Sequence, residues 1–403
     1  MQAQDEETAP EGTVGQRVAV QRKLAGLTQY QLADRAHVSK SLIQKVERGV
    51  VPATPAFTAA VARALGIDVE TLYGQPYGNP IDLKADHAGI SQLRVVLGRE
   101  EEPELDGPPM TAPELRARLD QCQVHREKSR YSFLVTTVPE LLNHAFAIVA
   151  QARPGAETET AWALLEDAYE FANVGCVGFG YYDLAALAAR CSRDAAVKAG
   201  DPLRAAAATC RNLGVQFHRG DHAGVLRATN RGHALLDGER SPVAQAVRVV
   251  LHLRQSAVHA QLGALDRADE HIEEARRLVA PGVPAQPFYG LHANPANIDI
   301  HYVGAPVQIS DGATAVARAE QVQLPSDTKP SRVGHHWINV ARAWTLHGDR
   351  GKALDALKKA RAAAPQQTRY GSSVHETVRI LAEHDRRAND TLAGFARWAG
   401  ITL

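Results

Sequence analysis

Apolar residues recur at helical spacing along almost the whole chain, and the pattern is stopped repeatedly by a single glycine, while the alternation that marks a β-strand is almost absent. Such a chain is expected to be all-α. Beyond Thr111 the stops are Gly-Asp turns: Gly200-Asp201, Gly220-Asp221 and Gly348-Asp349, with a variant at Gly263-Ala264-Leu265-Asp266. Gly220 and Gly263 lie 43 residues apart and Gly263 and Gly348 lie 85 apart, with Gly304 near the midpoint. A period near 40 predicts stacked helical hairpins, a tetratricopeptide-like α-solenoid with helices longer than those of the strict repeat of ~34 residues. Residues 281–308, rich in Pro, Gly and Asn, are expected to interrupt the array. Thr111-Ala112-Pro113-Glu114 and Thr137-Val138-Pro139-Glu140 both read as capping boxes at helix starts.

The first part of the chain has a finer grain. Between Val14 and Gly74 the sequence predicts five short helices, with stops at Gly26, Gly49 and Gly66. Thr28 and Gln31 fit a capping box, Ser39 is placed to cap the third helix, and Thr54 precedes Pro55 at the tolerated first position of the fourth. Asp68 is placed to cap the fifth. The segment Thr28–Gly49 therefore reads as two helices joined by a tight turn after Ala36, with Ala33 and Ala36 small enough for close approach.

The third helix separates its faces cleanly. Leu42, Ile43 and Val46 point inward; Lys40, Ser41, Gln44, Lys45 and Arg48 fall on the outer face. These are the donors that a DNA major groove demands: a lysine reaches guanine O6 and N7, a glutamine pairs bidentately with adenine, and a serine serves a base or a phosphate. Gln29, in the first turn of the preceding helix, is placed to hold a backbone phosphate. The candidate DNA-contacting set is Gln29, Ser39, Lys40, Ser41, Gln44, Lys45 and Arg48. Charge agrees. Lys plus Arg and Asp plus Glu are both 45 in the whole chain, yet residues 13–75 carry eight bases against four acids. A positive field confined to one small unit suits a module that meets duplex DNA while the remainder does not.

The residues Leu27-Thr28-Gln29, Gln31-Leu32-Ala33, Val38-Ser39, Ile43, Val46-Glu47-Arg48-Gly49, Pro52, Ala62 and Leu65-Gly66 resemble the XRE family of regulators, related to the phage lambda and 434 repressors. The resemblance covers about residues 14–74. It implies a lambda-repressor-like five-helix domain whose third helix enters the major groove, and dimers on inverted repeats. Asp201-Pro202, Leu251-His252-Leu253-Arg254, Ser331 to Ala343 and Ala362 to Arg369 resemble actinobacterial, Streptomyces-type regulators that pair such a domain with a tetratricopeptide-like region. In general design the chain is also similar to peptide-sensing quorum regulators of Gram-positive bacteria, which implies a signal-responsive role.

At 403 residues the chain is expected to hold several units: an acidic disordered tail at 1–12, the helix-turn-helix domain at 13–75, a connector at 76–111 with one helix near Ala85–Leu97, and the helical-repeat region at 112–403 for sensing and dimerisation. A solenoid has a concave face suited to a peptide or small-molecule effector. On the helix Val333–Leu346, His336, Asn339 and Ala343 are expected on one stripe and His335 and Arg342 on a neighbouring one, so the candidate ligand set is His335, His336, Asn339 and Arg342, with Asn294, Asn297 and His301 from the insert. An asparagine and an arginine there can hold a peptide backbone and a carboxylate. The alternative use of the solenoid is to bind a protein partner, with the small domain as a DNA tether.

Cys122, Cys176, Cys191 and Cys210 form no C-x-x-C pair and read as small buried hydrophobes in a reducing cytosol. The histidines make no H-E-x-x-H, and no P-loop, Rossmann or G-x-S-x-G pattern occurs, so neither a metal, a cofactor nor a catalytic role is expected. No signal peptide and no apolar run approaching the ~18 residues of a membrane helix is read, so a cytoplasmic location is expected.

Overall fold

The structure, a computed structural model, describes residues 12–75, 86–99, 101–211, 213–279, 289–383 and 390–402. Among the described residues all regular elements are helices. The expected acidic tail and the segment 76–85 lie outside the described residues.

Five short helices open the fold: α1 (Val14–Leu24), α2 (Gln29–Ala36), α3 (Lys40–Glu47), α4 (Pro55–Leu65) and α5 (Val69–Tyr73). Each start has a local cause. Thr13 with Gln16 and Thr28 with Gln31 form reciprocal capping boxes, Ser39 Oγ accepts from the Leu42 N–H, and Thr54 Oγ1 accepts from the Phe57 N–H. Asp68 occupies the cap of α5, but its side chain makes no capping bond, against expectation. Val14, Val18, Leu32, Ile43, Val46, Phe57, Val61 and Leu72 meet in one apolar core.

Helix α6 (Ile90–Leu97) follows, beginning after Gly89 and so shorter than expected. Then come α7 (Ala112–Glu127), α8 (Tyr131–Gln151), α9 (Ala156–Phe179), α10 (Tyr182–Lys198), α11 (Pro202–Arg211), α12 (Gly214–His218) and α13 (His222–Leu235). The chain continues through α14 (Pro242–Gln261), α15 (Leu265–Leu278), α16 (Pro295–Gln308), α17 (Gly312–Gln321), α18 (Pro330–His347), α19 (Arg350–Ala363), α20 (Pro365–Tyr370), α21 (Ser372–Glu383) and α22 (Asp390–Ala399). The pairs α9 and α10, α14 and α15, and α18 and α19 pack closely, so the region is an α-solenoid of helical hairpins.

Three expectations meet a different outcome here. Thr137–Glu140 does not start a helix, because Pro139 lies inside α8. Leu134, Val135, Val138, Leu141, Leu142, Ala145 and Phe146 are all buried, and this continuous apolar stripe carries the helix through the proline. Pro139 leaves the Val135 carbonyl without its helical donor, and the Gly89 backbone packs against that oxygen, where any side chain would collide. The second concerns the insert, of which residues 281–288 lie outside the described residues, 289–294 are irregular as expected and the remainder is helical. Asn294 Oδ1 accepts from the Asn297 N–H, Pro295 occupies the first turn, and α16 runs to Gln308. Helix α8 is also long and apolar enough to cross a membrane by length and composition, contrary to the sequence reading, yet its apolar stripe is spent in the protein core.

The five-helix unit is seated against the solenoid. The Val14 N–H donates to Glu376 Oε2 of α21 at 2.9 Å, and Arg63 Nη2 donates to the Gly220 carbonyl at 3.1 Å. Tyr73 meets the His218 ring at 5.1 Å, and His218 in turn stacks on Tyr182 at 3.9 Å.

Candidate nucleic-acid interface and interdomain cavity

Helix α3 hangs by Ile43 and Val46, which are sunk in the core, with Leu42 half-buried beside them. Its opposite face is open: Ser39, Lys40, Ser41, Lys45 and Arg48 are exposed and Gln44 is half-buried. Arg48 Nε donates to the Gln44 carbonyl at 3.1 Å, which closes the helix end, and the residue stays exposed. His37 takes the left-handed conformation, φ 54°, in the turn between α2 and α3. The row of donors is the one a major groove can read.

Gln29 differs from expectation. Its Nε2 donates to Glu47 Oε2 at 2.7 Å, and Glu47 is also clamped by Arg22, whose Nε lies 2.6 Å from Oε1. Its side chain is therefore committed to tying α1, α2 and α3 together, and it is its place at the start of α2 that remains relevant to a phosphate. The sequence reading did not single out Arg22 or Glu47 as partners, although a buried acid in so basic a unit signals a structural pair.

Between the five-helix unit and the solenoid lies a cavity of about 380 Å³. Pro52, Ala53, Thr54 and Pro55, the link from α3 to α4, form part of its wall, with Tyr73 and Gln75. The other walls come from α8, α9, α10, α12, α14, α16, α18, α20 and α21. Four of the seven candidate ligand residues line it: His301, His335, Asn339 and Arg342. Residues 335, 339 and 342 share one face of α18 at i, i+4, i+7 spacing, and Gly304 of α16 lets Asn339 approach, since any side chain at 304 would meet Asn339 Nδ2.

Three candidates lie elsewhere. Asn294 is spent as the cap of α16. Asn297 donates to the His292 carbonyl at 2.8 Å and accepts from Arg332 at 3.1 Å. His336 points to the other side of α18, edge-on to Trp337 at 5.2 Å, because one residue turns the side chain by ~100°. Arg254 of α14 was missed as a lining residue. Its only sequence signal is an arginine in the apolar run Leu251-His252-Leu253-Arg254.

The cavity is electropositive. Burial pulls the Arg342 guanidinium down to about 10 and lowers that of Arg254. His301 is driven to about 3 by burial and by the nearby Arg254 and Arg332, and His335 falls far below its ordinary value for the same reasons. Both imidazoles are therefore neutral at pH 7 and can donate and accept.

Other polar clusters are built differently. Glu166, fully buried, receives Ser192 Oγ at 2.8 Å, Arg204 Nη1 at 2.6 Å and Arg211, while Asp167 takes Arg204 at 2.8 Å and Arg116 at 2.5 Å. This network joins α7, α9, α10 and α11. Among the described residues, no group of three or more His, Cys, Asp or Glu is placed to hold a metal ion. The four cysteines are free; Cys122, Cys176 and Cys210 are buried and Cys191 is half-buried.

The fold and these faces define a class: a chain with a helix-turn-helix domain at its N-terminal side and an all-helical region behind it. Residues 13–72 match the family described as "Helix-turn-helix domain". Over 63 residues, 16% of this chain, the sequence is 43% identical to the immunity repressor protein of Bacillus phage phi105, and the match spans 44% of that protein's length. The crystal structure of Bacillus thuringiensis PlcR in complex with the peptide PapR7 and DNA is similar over 87% of this chain and 94% of that one, at 13% identity and a TM-score of 0.29.

Proposed function

We propose that this protein is a sequence-specific DNA-binding transcription regulator that acts as a homodimer on an inverted repeat and answers to a small effector held in the interdomain cavity. The observation that carries the DNA reading is the outer face of α3, where Ser39, Lys40, Ser41, Lys45 and Arg48 stand exposed beside Gln44 on a helix fixed by Ile43 and Val46. In a dimer, two copies of α3 would enter successive major grooves roughly 34 Å apart. Lysine and glutamine would read bases, while Ser39, Ser41, Arg48 and the start of α2 at Gln29 would hold phosphates. On this reading residues 13–75 are the DNA-binding domain, 76–111 the connector and 112–403 the sensing and dimerising region.

The effector reading rests on the wall formed by Pro52–Pro55. That link leads directly from the end of α3, so an occupant touching it and α18 would bias how the DNA-binding unit sits on the solenoid. A coupling of about 1–3 kcal/mol is the usual scale for such a device. The test is selection of bound sequences from a randomised duplex pool by the full-length protein, followed by affinity measurements on the winning site with fractions of host extract added. Absence of any sequence preference would remove the DNA reading, and an affinity indifferent to every fraction would remove the effector.

A further inference from the structure

The cavity holds more positive charge than its walls balance. Arg254 and Arg342 both line it, and among the described residues neither forms an ion pair with an acid. The carboxylate whose field reaches Arg254 is Glu170, but Glu170 is already held between Arg126 and Arg211, at 3.4 Å from each. Arg254 Nε has no hydrogen-bond partner. Arg342 faces Tyr73, a neutral phenol. Among the described residues the only acid in the lining, Glu376, is occupied by the Val14 N–H, and Arg17 and Arg379 lie near it. A third guanidinium, Arg332, adds to the field around His301 and His335 and is itself bound to Asn297. Arg254 and Arg342 are half-buried in the cavity wall, and guanidinium groups held there without a counter-ion are costly, so a site that keeps them is built for a charge that arrives from outside.

We infer that the cavity takes an organic anion, with its carboxylate or phosphate held between Arg254 and Arg342 and its apolar body against Val177, Phe217, Val307 and Ile338. This deepens the effector reading above and rests on it for its regulatory meaning. The volume, about 380 Å³, lies at the small end of ligand pockets, which run ~300–1,000 Å³, so the occupant is a compact molecule. Neutral His301 and His335 and the Asn339 amide complete the polar end by hydrogen bonding.

The test uses four probes with one apolar body: octanoate, octyl phosphate, octanol and octylammonium, titrated into the full-length protein by calorimetry. Saturable binding of at least one anion, with octanol and octylammonium about tenfold weaker or more, is expected. That preference should vanish in R254Q, R342Q and the double variant. Preference for octanoate over octyl phosphate assigns a carboxylate; the reverse assigns a phosphate. Equal binding of octanol, no saturable binding of either anion, or a preference that survives in the double variant overturns the inference. Melting supplies a second readout: the ligand-free double variant should melt at or above the wild type, because uncompensated cations are gone, and a marked fall would mean that the pair holds the fold instead. Anion binding without any change in affinity for the selected DNA site keeps the anion site and removes the sensory role. A DNA response to neutral compounds alone removes the anion and keeps the sensor.

Discussion

Glu376 accepts a hydrogen bond from the backbone N–H of Val14 at 2.9 Å, across 362 residues of chain, so the first turn of the DNA-binding unit is pinned by the solenoid. Burial raises the pKa of this carboxyl even though the Val14 N–H favours its charged form. Gln16 Nε2 reaches Glu383 on the same helix at 3.1 Å. The unit is thus seated at both its first helix and, through Arg63 and Gly220, its fourth.

Replacing Glu376 by Ala should strand the Val14 N–H and loosen this seat. A loss of about 1–3 kcal/mol is expected for an unsatisfied buried donor. Hydrogen exchange would report it as faster exchange in α1 with α14 and α18 little changed. If α1 protection were unaltered, the contact would not be what seats the domain.

On α3, the double change of Lys40 and Gln44 to Ala should abolish base preference, at about 1–3 kcal/mol for each good base contact, while leaving the fold intact because neither side chain belongs to the apolar core. Glu47→Ala is the contrast. It frees Arg22 and Gln29 inside the domain and should cost stability, about 3–5 kcal/mol for a broken buried pair. Fluorescence anisotropy on the selected site, set beside urea unfolding, separates a contact residue from a structural one.

The α3 face was legible in the sequence because both of its determinants are local: a serine cap and apolar residues at i, i+1, i+4. Thr137–Glu140 misled for the complementary reason, since a cap-like tetrapeptide was overruled by the tertiary burial of Val135, Val138 and Leu142 around it. Only a small part of the cavity was readable. His335 and Arg342 share a stripe of one helix by spacing alone, whereas the place of Asn339 beside them, and the arrival of Arg254, Tyr73 and Pro52 from distant segments, come only from the fold. The ~100° turn between neighbours separates His336 from His335 already in the sequence, but i, i+3 spacing joins Asn339 to His336, and it is the fold that sets it with His335 and Arg342 instead.

Arg211 bears on stability rather than recognition. It is buried with Glu166 and Glu170, and Glu166 has no surface exposure at all. Arg211→Ala would leave Arg204 and Ser192 as the remaining partners of Glu166 and should destabilise the protein by about 3–5 kcal/mol, read by urea denaturation of the solenoid. A change below about 1 kcal/mol, the scale of an exposed pair, would mean that this network is screened by water.

Acid should unfold the chain early. Burial holds His252 and His336 near 4 and His218, His301 and His375 near 3, each below the ordinary 6.5. In this range the unfolded chain binds more protons than the folded one, so stability rises with pH. The contribution of these groups is complete above about 6.5 and is lost as pH falls from there towards 4 and then 3. Melting temperature should therefore fall steadily below pH 6.5, before the carboxylates titrate. His218 stacks on Tyr182 and touches Tyr73, so the seat of the DNA-binding unit should loosen within that window. Replacing His218 by Phe, which keeps the ring contacts and removes the proton, should flatten the acid limb of the melting curve; an unchanged limb would assign the sensitivity to the other histidines.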